Sequence, residues 1–333
     1  MKTKMKTNKF LAVGLMATMI LSSCSKNEDS VGGDSTANEI KLNAGIGLST
    51  RAGEGVISPD YENDLKVAFA RLDQNATAWT ALNLKAVRIG GSGQTPIAFD
   101  ATQSYDVLTP TNTMTLIGYY PRPENTPATP SGITPFTVDY TIDGNTDIMA
   151  TIPVSGSKNT PIPNCTFEHH LAQLQFRCVG SSEARTKWQN ISIKVNQVPT
   201  ALQLKINKSA APGLIVNTGG GVNGDLNVVG ASKTPQSPDE AKPTTGYVMI
   251  YPTAGLGSGL PNTDALTVEI TGDYNNIETT KTVTITNIAG GVKKGISHLL
   301  TLIFTVDGDI SASATAEIAP WKPGNAGSGV VTP

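Results

Sequence analysis

The sequence is poor in the residues that most often carry chemistry. Its 333 residues include only three histidines and three cysteines, and charged residues make up 16%. No Ser-His-Asp or Cys-His-Asn set is suggested by local spacing, and no pair of carboxylates is marked for glycoside hydrolysis. The formal net charge is −2, and the basic patch that nucleic acid requires is missing. We therefore expect no enzymatic activity, no cofactor and no nucleic-acid partner.

Long runs with helical periodicity are also missing. Short alternating runs of apolar and polar residues are separated by Gly, Pro, Asn and Asp, which is typical of all-β sandwiches. Asp307-Gly308 predicts a tight hairpin turn, and a glycine-rich loop predicts another hairpin within 214–229. The predicted strands are 65–73, 114–121, 136–142, 188–195, 201–206, 246–252, 265–272, 281–288, 298–306 and 310–318.

A segment rich in Pro and Asn interrupts the alternating pattern near the middle of the chain. Residues 153–163 read PVSGSKNTPIP and contain few side chains that could pack in a core. The length suffices for two ordinary domains. We therefore predict an N-terminal β-sandwich domain over 37–160 and a C-terminal β-sandwich domain over 161–333.

The chain begins with a basic, then apolar leader. Four lysines precede the apolar run 10–21, which is too short to span a bilayer comfortably and indicates a secretory signal over 1–23. The following Leu21-Ser22-Ser23-Cys24 resembles a bacterial lipobox, which predicts a lipid on Cys24. The alternative is a plain signal peptide with an incidental cysteine. Residues 24–36 are polar and rich in Gly and Ser, as expected of a flexible tether.

A well-patterned strand over 39–50 runs directly into a trypsin-type site, Arg51-Ala52. Apolar and polar residues alternate along it with the period of a half-buried strand. Its apolar positions, predicted to face the core, are Ile40, Leu42, Ala44, Ile46 and Leu48. The alternative for Arg51 is an ordinary exposed loop arginine.

A group of cysteines and histidines near residue 170 first suggests a metal site. On one extended strand His170 and Cys178 lie about 26 Å apart, too far to share an ion. A disulfide between Cys165 and Cys178 needs a sharp turn, for which the intervening sequence offers no turn residue. We favour one strand whose core-facing residues are His170, Ala172, Leu174, Phe176 and Cys178, and we predict no metal. Trp79, Trp188 and Trp321 could stack on sugars, although single tryptophans of β-proteins more often lie in the core.

Several motifs, in order, resemble the fimbrillin family of Bacteroidetes, the type V pilins. They are the lipobox, the early strand ending in Thr50-Arg51-Ala52, the block Asp147-Ile148-Met149-Ala150, the Phe-x-His strand starting at Phe167, and Ile318-Ala319-Pro320-Trp321. The resemblance covers most of the chain. It implies two transthyretin-like, Greek-key β-sandwich domains in tandem.

The resemblance also implies a function. Such a pilin is exported as a surface lipoprotein, held to the outer membrane by its lipid, and the acidic Glu28-Asp29 behind Cys24 is similar to a surface-export signal. A protease cuts after Arg51, the strand 39–50 leaves, and a strand from another pilin subunit fills the groove. The product is a fimbrium that mediates adhesion, with a host protein or glycan as ligand. The alternative is an anchored, unprocessed glycan-binding lipoprotein or a pilus tip adhesin.

One departure from the family concerns the donor strand. Stalk pilins tend to carry an appended C-terminal strand, whereas only twelve residues follow Trp321 here, and KPGNAGSGVVTP is a poor strand. This departure argues against a polymerising role, or else assigns that role to the preceding strand, whose candidate donor residues are Ile310, Ala312, Ala314, Ala316 and Ile318.

Overall fold

The fold is taken from a computed structural model, which describes residues 38–47, 57–219, 223–241, 244–253, 265–288, 291–315 and 327–331. The all-β class is confirmed, since the helical content of the described residues is one short helix, α1 (Ser182–Lys187). No helix among the described residues is long and apolar enough to cross a membrane.

Strands of the N-terminal half form a sheet that closes on itself. Its strands are β1 (Asn43–Ile46), β2 (Leu65–Asp73), β3 (Ala81–Arg88), β4 (Thr95–Phe99), β5 (Met114–Tyr120), β7 (Met149–Ala150), β8 (Val154–Gly156) and β9 (Cys165–His169), while β6 (Phe136–Thr141) lies in a different sheet. The hydrogen-bonded order is β2-β3-β4-β1-β9-β7-β5, and β5 pairs again with β2, with β8 added beside β5. Because the sheet closes, few strand edges are left exposed to pairing with other chains.

A second sheet holds most of the remaining strands. The strands after β9 are β10 (Ala172–Gly180), β11 (Trp188–Pro199), β12 (Ala201–Asn207), β13 (Ala210–Val216), β14 (Asn223–Asn227), β15 (Thr245–Ile250), β16 (Leu266–Tyr274), β17 (Ile277–Ile288), β18 (Ser297–Phe304), β19 (Ile310–Thr315) and β20 (Gly327–Val331). The order in the second sheet is β14-β11-β16-β17-β20-β19-β18-β10-β15, and β6 joins a separate three-stranded sheet, β13-β12-β6.

Two apolar cores result from the side-chain alternation. On β2, Val67 and Phe69 point into the N-terminal core, whereas Ala68 and Ala70 on the opposite face pack with the larger core around Trp188. Strand β2 is therefore buried on both faces over this stretch. Because β6 pairs with β12, the larger core also receives residues from before residue 160. The domain boundary at 160/161 stays a prediction.

Three strand predictions were wrong. Residues 165–178 form two strands, not one: β9 lies in the N-terminal sheet and β10 in the C-terminal sheet, with His170 and Leu171 between them. The 214–229 hairpin does not form, because β13 pairs with β12 and β14 with β11. The poor strand after Trp321 nevertheless contains β20, which pairs with β17.

Candidate functional site

The segment 38–47 lies between two strands and bonds to both. On one side β1 pairs antiparallel with β4, and the Ile97 amide donates to the Leu42 carbonyl at 2.8 Å. On the other side β1 runs parallel to β9, and the Gly47 amide donates to the Phe167 carbonyl at 2.8 Å. Without this segment, the facing edges of β4 and β9 lose their partners, which is costly in a buried setting.

The alternating side chains of this segment fill the N-terminal core. All four of the predicted core-facing residues that the structure describes are buried, at 5% exposure or less: Ile40, Leu42, Ala44 and Ile46. The fifth residue, Leu48, lies outside the described residues, as do Cys24, Arg51 and Ala52. The described part of the predicted strand therefore contributes a row of apolar side chains to the core.

We call the space between β4 and β9 that residues 38–47 fill the groove, and aromatic side chains form its floor. Phe69 on β2 and Phe167 on β9 meet edge to face, with ring centroids 6.0 Å apart. Gly118 on β5 makes the contact possible, because a Cβ there would come within 2.8 Å of both rings. Edge-to-face pairs stabilise a core beyond their buried area.

A buried arginine ties β1 to the neighbouring loop. Arg88, at the end of β3, is 0% exposed. Its Nε donates to the Ala44 carbonyl at 3.0 Å, and its terminal nitrogens donate to the carbonyls of Ile89, Gly91 and Gly93 at 3.0–3.3 Å. Burial lowers the pKa of Arg88, but the guanidinium stays charged at any ordinary pH. Four backbone carbonyls stabilise this charge.

Sequence reasoning missed Arg88, β3 and β4. The available signal was a single arginine closing an alternating run, directly before the glycine-rich loop IGGSGQ. The carbonyls of such a loop are free to turn toward one cation, because glycine imposes little backbone restriction.

The two family-like motifs around residues 147 and 169 meet at the end of β9. Asp147 and His169 are both buried, and the Asp147 carboxylate shares a hydrogen bond with Nδ1 of His169. The other carboxylate oxygen accepts from the Ile148 amide at 2.7 Å, and the His170 amide donates to the Ile148 carbonyl at 2.7 Å. Burial lowers the pKa of His170 to about 4, with smaller effects from Lys294 and His169.

The two described cysteines are buried free thiols. Cys165 lies beside Ala44 in the N-terminal core, and Cys178 lies on β10 in the larger core, so the alternative of a disulfide was wrong. Burial raises the pKa of each thiol to about 12. Within the described ranges, no three His, Cys, Asp or Glu side chains come together as a metal site.

The predicted donor strand is part of its own sheet. Strand β19 pairs antiparallel with β18 across the predicted Asp307-Gly308 turn, and Ile310 and Ala312 are buried. Ala314 pairs with Leu300 along the backbone, while Ala316 and Ile318 lie outside the described residues.

Two tryptophans are unavailable for stacking on a sugar. Trp188 is 0% exposed and packs against Phe304 and Tyr274, and Trp79 packs edge to face on Phe136. Trp321 lies outside the described residues.

Known proteins resemble this chain in sequence and in fold. The model of a family described as fimbrillin-like matches residues 50–321. No curated protein matches the sequence at a significant level. A solved candidate cell adhesion protein from Bacteroides uniformis is 15% identical, with a TM-score of 0.56 over 84% of this chain and 98% of its own. A candidate cell adhesion protein from Bacteroides ovatus is also 15% identical, with a TM-score of 0.49 over 85% and 96% of the two chains.

Proposed function

This chain belongs to the fimbrillin-like family, and from that premise we propose that it is a fimbrial subunit that assembles by strand exchange and serves surface adhesion. Its role is structural, without catalysis. The precursor carries a lipid on Cys24 and sits on the outer membrane at the cell surface. Cleavage between Arg51 and Ala52 frees the strand 39–50, and the subunit enters the fimbrium. The two sandwich domains are proposed to be transthyretin-like and in tandem.

The placement of residues 38–47 carries this proposal. They complete a closed sheet, and Arg51 follows Gly47 within four residues. One cut there leaves the strand held only by non-covalent contacts.

The energetics favour replacement of the strand over an empty groove. Full burial of an aliphatic side chain contributes roughly 1.5–3 kcal/mol, and this segment buries Ile40, Leu42, Ala44 and Ile46. Losing several such residues is comparable to the whole stability of a domain, about 5–15 kcal/mol. A cut subunit is therefore expected to retain its strand or to accept one from another subunit.

Two segments of the chain could serve as donor. Donation of the sequence-predicted strand, Ile310–Ile318, removes Ile310 and Ala312 from their own core. Donation of β20 leaves these side chains in place. Deleting residues 327–333 while keeping Ile310–Ile318 separates the two: loss of assembly assigns the donor to β20, and retained assembly assigns it to the earlier strand.

Limited trypsin digestion of residues 25–333 tests strand exchange. Cleavage at Arg51 should yield oligomers that form a ladder on a non-boiled gel. Arg51→Ala should stay monomeric, whereas Arg185→Ala, at an exposed arginine of α1, should still form the ladder. A cut protein that remains a stable monomer after its strand is washed away contradicts the proposal.

Lipidation has its own test. A palmitate analogue should label the precursor, and Cys24→Ala should lose both the label and surface display. Unchanged labelling of the variant contradicts a lipid on Cys24 and favours the plain signal peptide.

A further inference from the structure

An exposed apolar tip projects beside the start of the β1 segment. In the loop between β4 and β5, the Leu108 side chain is 91% exposed and its neighbour Val107 is 50% exposed. The adjoining Tyr105 amide donates to the Asn38 carbonyl at 2.9 Å, which places the loop at that end of the segment. A single exposed apolar residue is common on protein surfaces, but here two adjacent ones form a small apolar patch at the end of a loop that side-chain hydrogen bonds hold in shape.

The tip is held in shape by one carboxylate. Asp106 accepts from the Leu108 amide at 2.9 Å, the Thr109 amide at 3.2 Å and the Asn112 side chain at 3.0 Å. The Thr109 hydroxyl also donates to it at 2.6 Å. These bonds lower the pKa of Asp106, so the apolar tip carries a negative charge next to it at neutral pH.

A cavity of complementary character lies near the opposite end of the same segment. It has a volume of about 580 Å³, and its apolar wall includes Leu214, Tyr251, Val292 and Ile296. Lys293 and Lys294 also line the cavity, and both are exposed. Neither lysine takes part in an ion pair among the described residues. Among the described residues that line the cavity there is no carboxylate.

The position of the cavity follows from backbone bonds. The Gly47 amide, at the other end of the segment, donates to the Phe167 carbonyl at 2.8 Å. Leu171 follows Phe167 by four residues, and its carbonyl accepts from the Gly295 amide at 2.8 Å. Gly295 lies between Lys294 and Ile296, which line the cavity. Residues 38–47 span nine intervals, which is at most about 30 Å for a fully extended chain. The apolar tip and the cavity are therefore associated with opposite ends of the groove.

We propose that the Val107–Leu108 tip of one copy docks in this cavity of the next copy, with Asp106 facing Lys293 and Lys294. The apolar tip meets an apolar wall, and its single negative charge meets two lysines. Two different surfaces at opposite ends give a head-to-tail contact, which propagates as a filament instead of closing a symmetric dimer. The proposal rests on the proposed fimbrial role: the exchanged strand holds two subunits together, and this contact fixes how they are rotated.

Cysteine cross-linking between copies tests the contact. In residues 25–333, Leu108→Cys protein is mixed with Ile296→Cys protein and oxidised after trypsin treatment. Cys178 is buried in the larger core and should not compete, whereas Cys165, which release of the cut strand would expose, is replaced with alanine in both proteins. A disulfide-linked heterodimer is expected only from the mixture. Ile277→Cys, another exposed apolar site at 69% exposure, should give none with Ile296→Cys.

Charge provides a second readout that a chance collision would not show. Replacing both lysines with glutamine should slow the cross-linking severalfold at low salt, and salt should slow the wild-type reaction in the same way. Leu108→Ser should remain folded, since exposed substitutions rarely affect stability, but its polymers should be shorter.

The four outcomes separate the two proposals. A ladder with the specific cross-link supports both, and a ladder without it overturns the docking while strand exchange stands. A cross-link without a ladder supports the docking and overturns the polymerising role. Absence of both overturns both.

Discussion

In the interior of the protein, the Asp147 carboxylate shares a hydrogen bond with Nδ1 of His169, a residue 22 positions later in the chain. The pair lies where Met149 of β7 faces His169 of β9 and where the chain leaves the N-terminal sheet. It thereby fixes the end of β9, the strand against which β1 packs in parallel.

Removal of this carboxylate should destabilise the protein strongly. Asp147→Ala deprives both the buried His169 ring and the Ile148 amide of an acceptor. Breaking a buried charged hydrogen bond in this way costs about 2–4 kcal/mol. The urea unfolding midpoint should fall accordingly. Asp60→Ala, at an exposed carboxylate, should leave it within error; equal midpoints for both variants contradict the assignment.

Replacement of Arg88 should loosen the β1 strand as well as the fold. Arg88→Met keeps the length of the side chain but removes the donor to the Ala44 carbonyl. A lost hydrogen bond to a charged group costs roughly 1.5–3 kcal/mol, so the cut strand should dissociate about ten- to a hundredfold faster.

The matched control is Arg122→Met. Arg122 pairs with Asp100 at 3.3 Å near the surface, where such pairs contribute about 0–1 kcal/mol. Dissociation of a fluorescently labelled strand, measured after the cut, compares the two variants. Similar rates would show that Arg88 does not hold the strand.

Cys165 should report the opening of the groove. In the intact protein burial raises its pKa to about 12, so the reactive thiolate is scarce at pH 8. Because Cys165 pairs with Ala44 of β1, release of the strand should expose it and return its pKa toward the ordinary value. Mass spectrometry after iodoacetamide treatment should then find Cys165 modified and Cys178 unmodified. Equal modification of both thiols would indicate global unfolding instead.

Acid should destabilise the protein through His170. Its folded-state pKa of about 4 lies below the ordinary 6.5, so between these values the unfolded chain binds a proton that the folded chain excludes. The stabilising contribution is complete above pH 6.5 and is lost as the pH falls toward 4, with about 2 kcal/mol gone at pH 5. His170→Gln should flatten this part of the curve of unfolding free energy against pH. An unchanged slope would contradict the buried neutral state of His170.

Local pattern predicted most strands but not their partners. Strand β2 was found with the predicted bounds, and the Asp307-Gly308 turn joins β18 to β19 as expected. The failures concern long-range pairing: β13 and β14 adjoin one glycine-rich loop yet lie in different sheets. Alternation specifies which side of a strand is buried, and it carries no information about which distant strand lies alongside.

In the groove, too, local burial could be predicted from the sequence, whereas long-range contacts could not. The alternating residues from Ile40 to Ile46 predicted their own burial, because period-two patterning is read directly from the sequence. The glycine-rich loop after Arg88 offered a local signal for this residue, but its contact with β1 could not be predicted, since the acceptor is the backbone carbonyl of Ala44, 44 residues away. The break between β9 and β10 contains no turn residue, and a tertiary hydrogen bond between Asp147 and His169 marks it instead.

N-terminal sequencing of the protein from sheared surface material tests the central claim most directly. If the strand 39–50 is removed before assembly, the assembled protein begins at Ala52. A first residue at a lipidated Cys24, in material that contains the whole strand, would contradict strand exchange and favour an anchored, unprocessed lipoprotein.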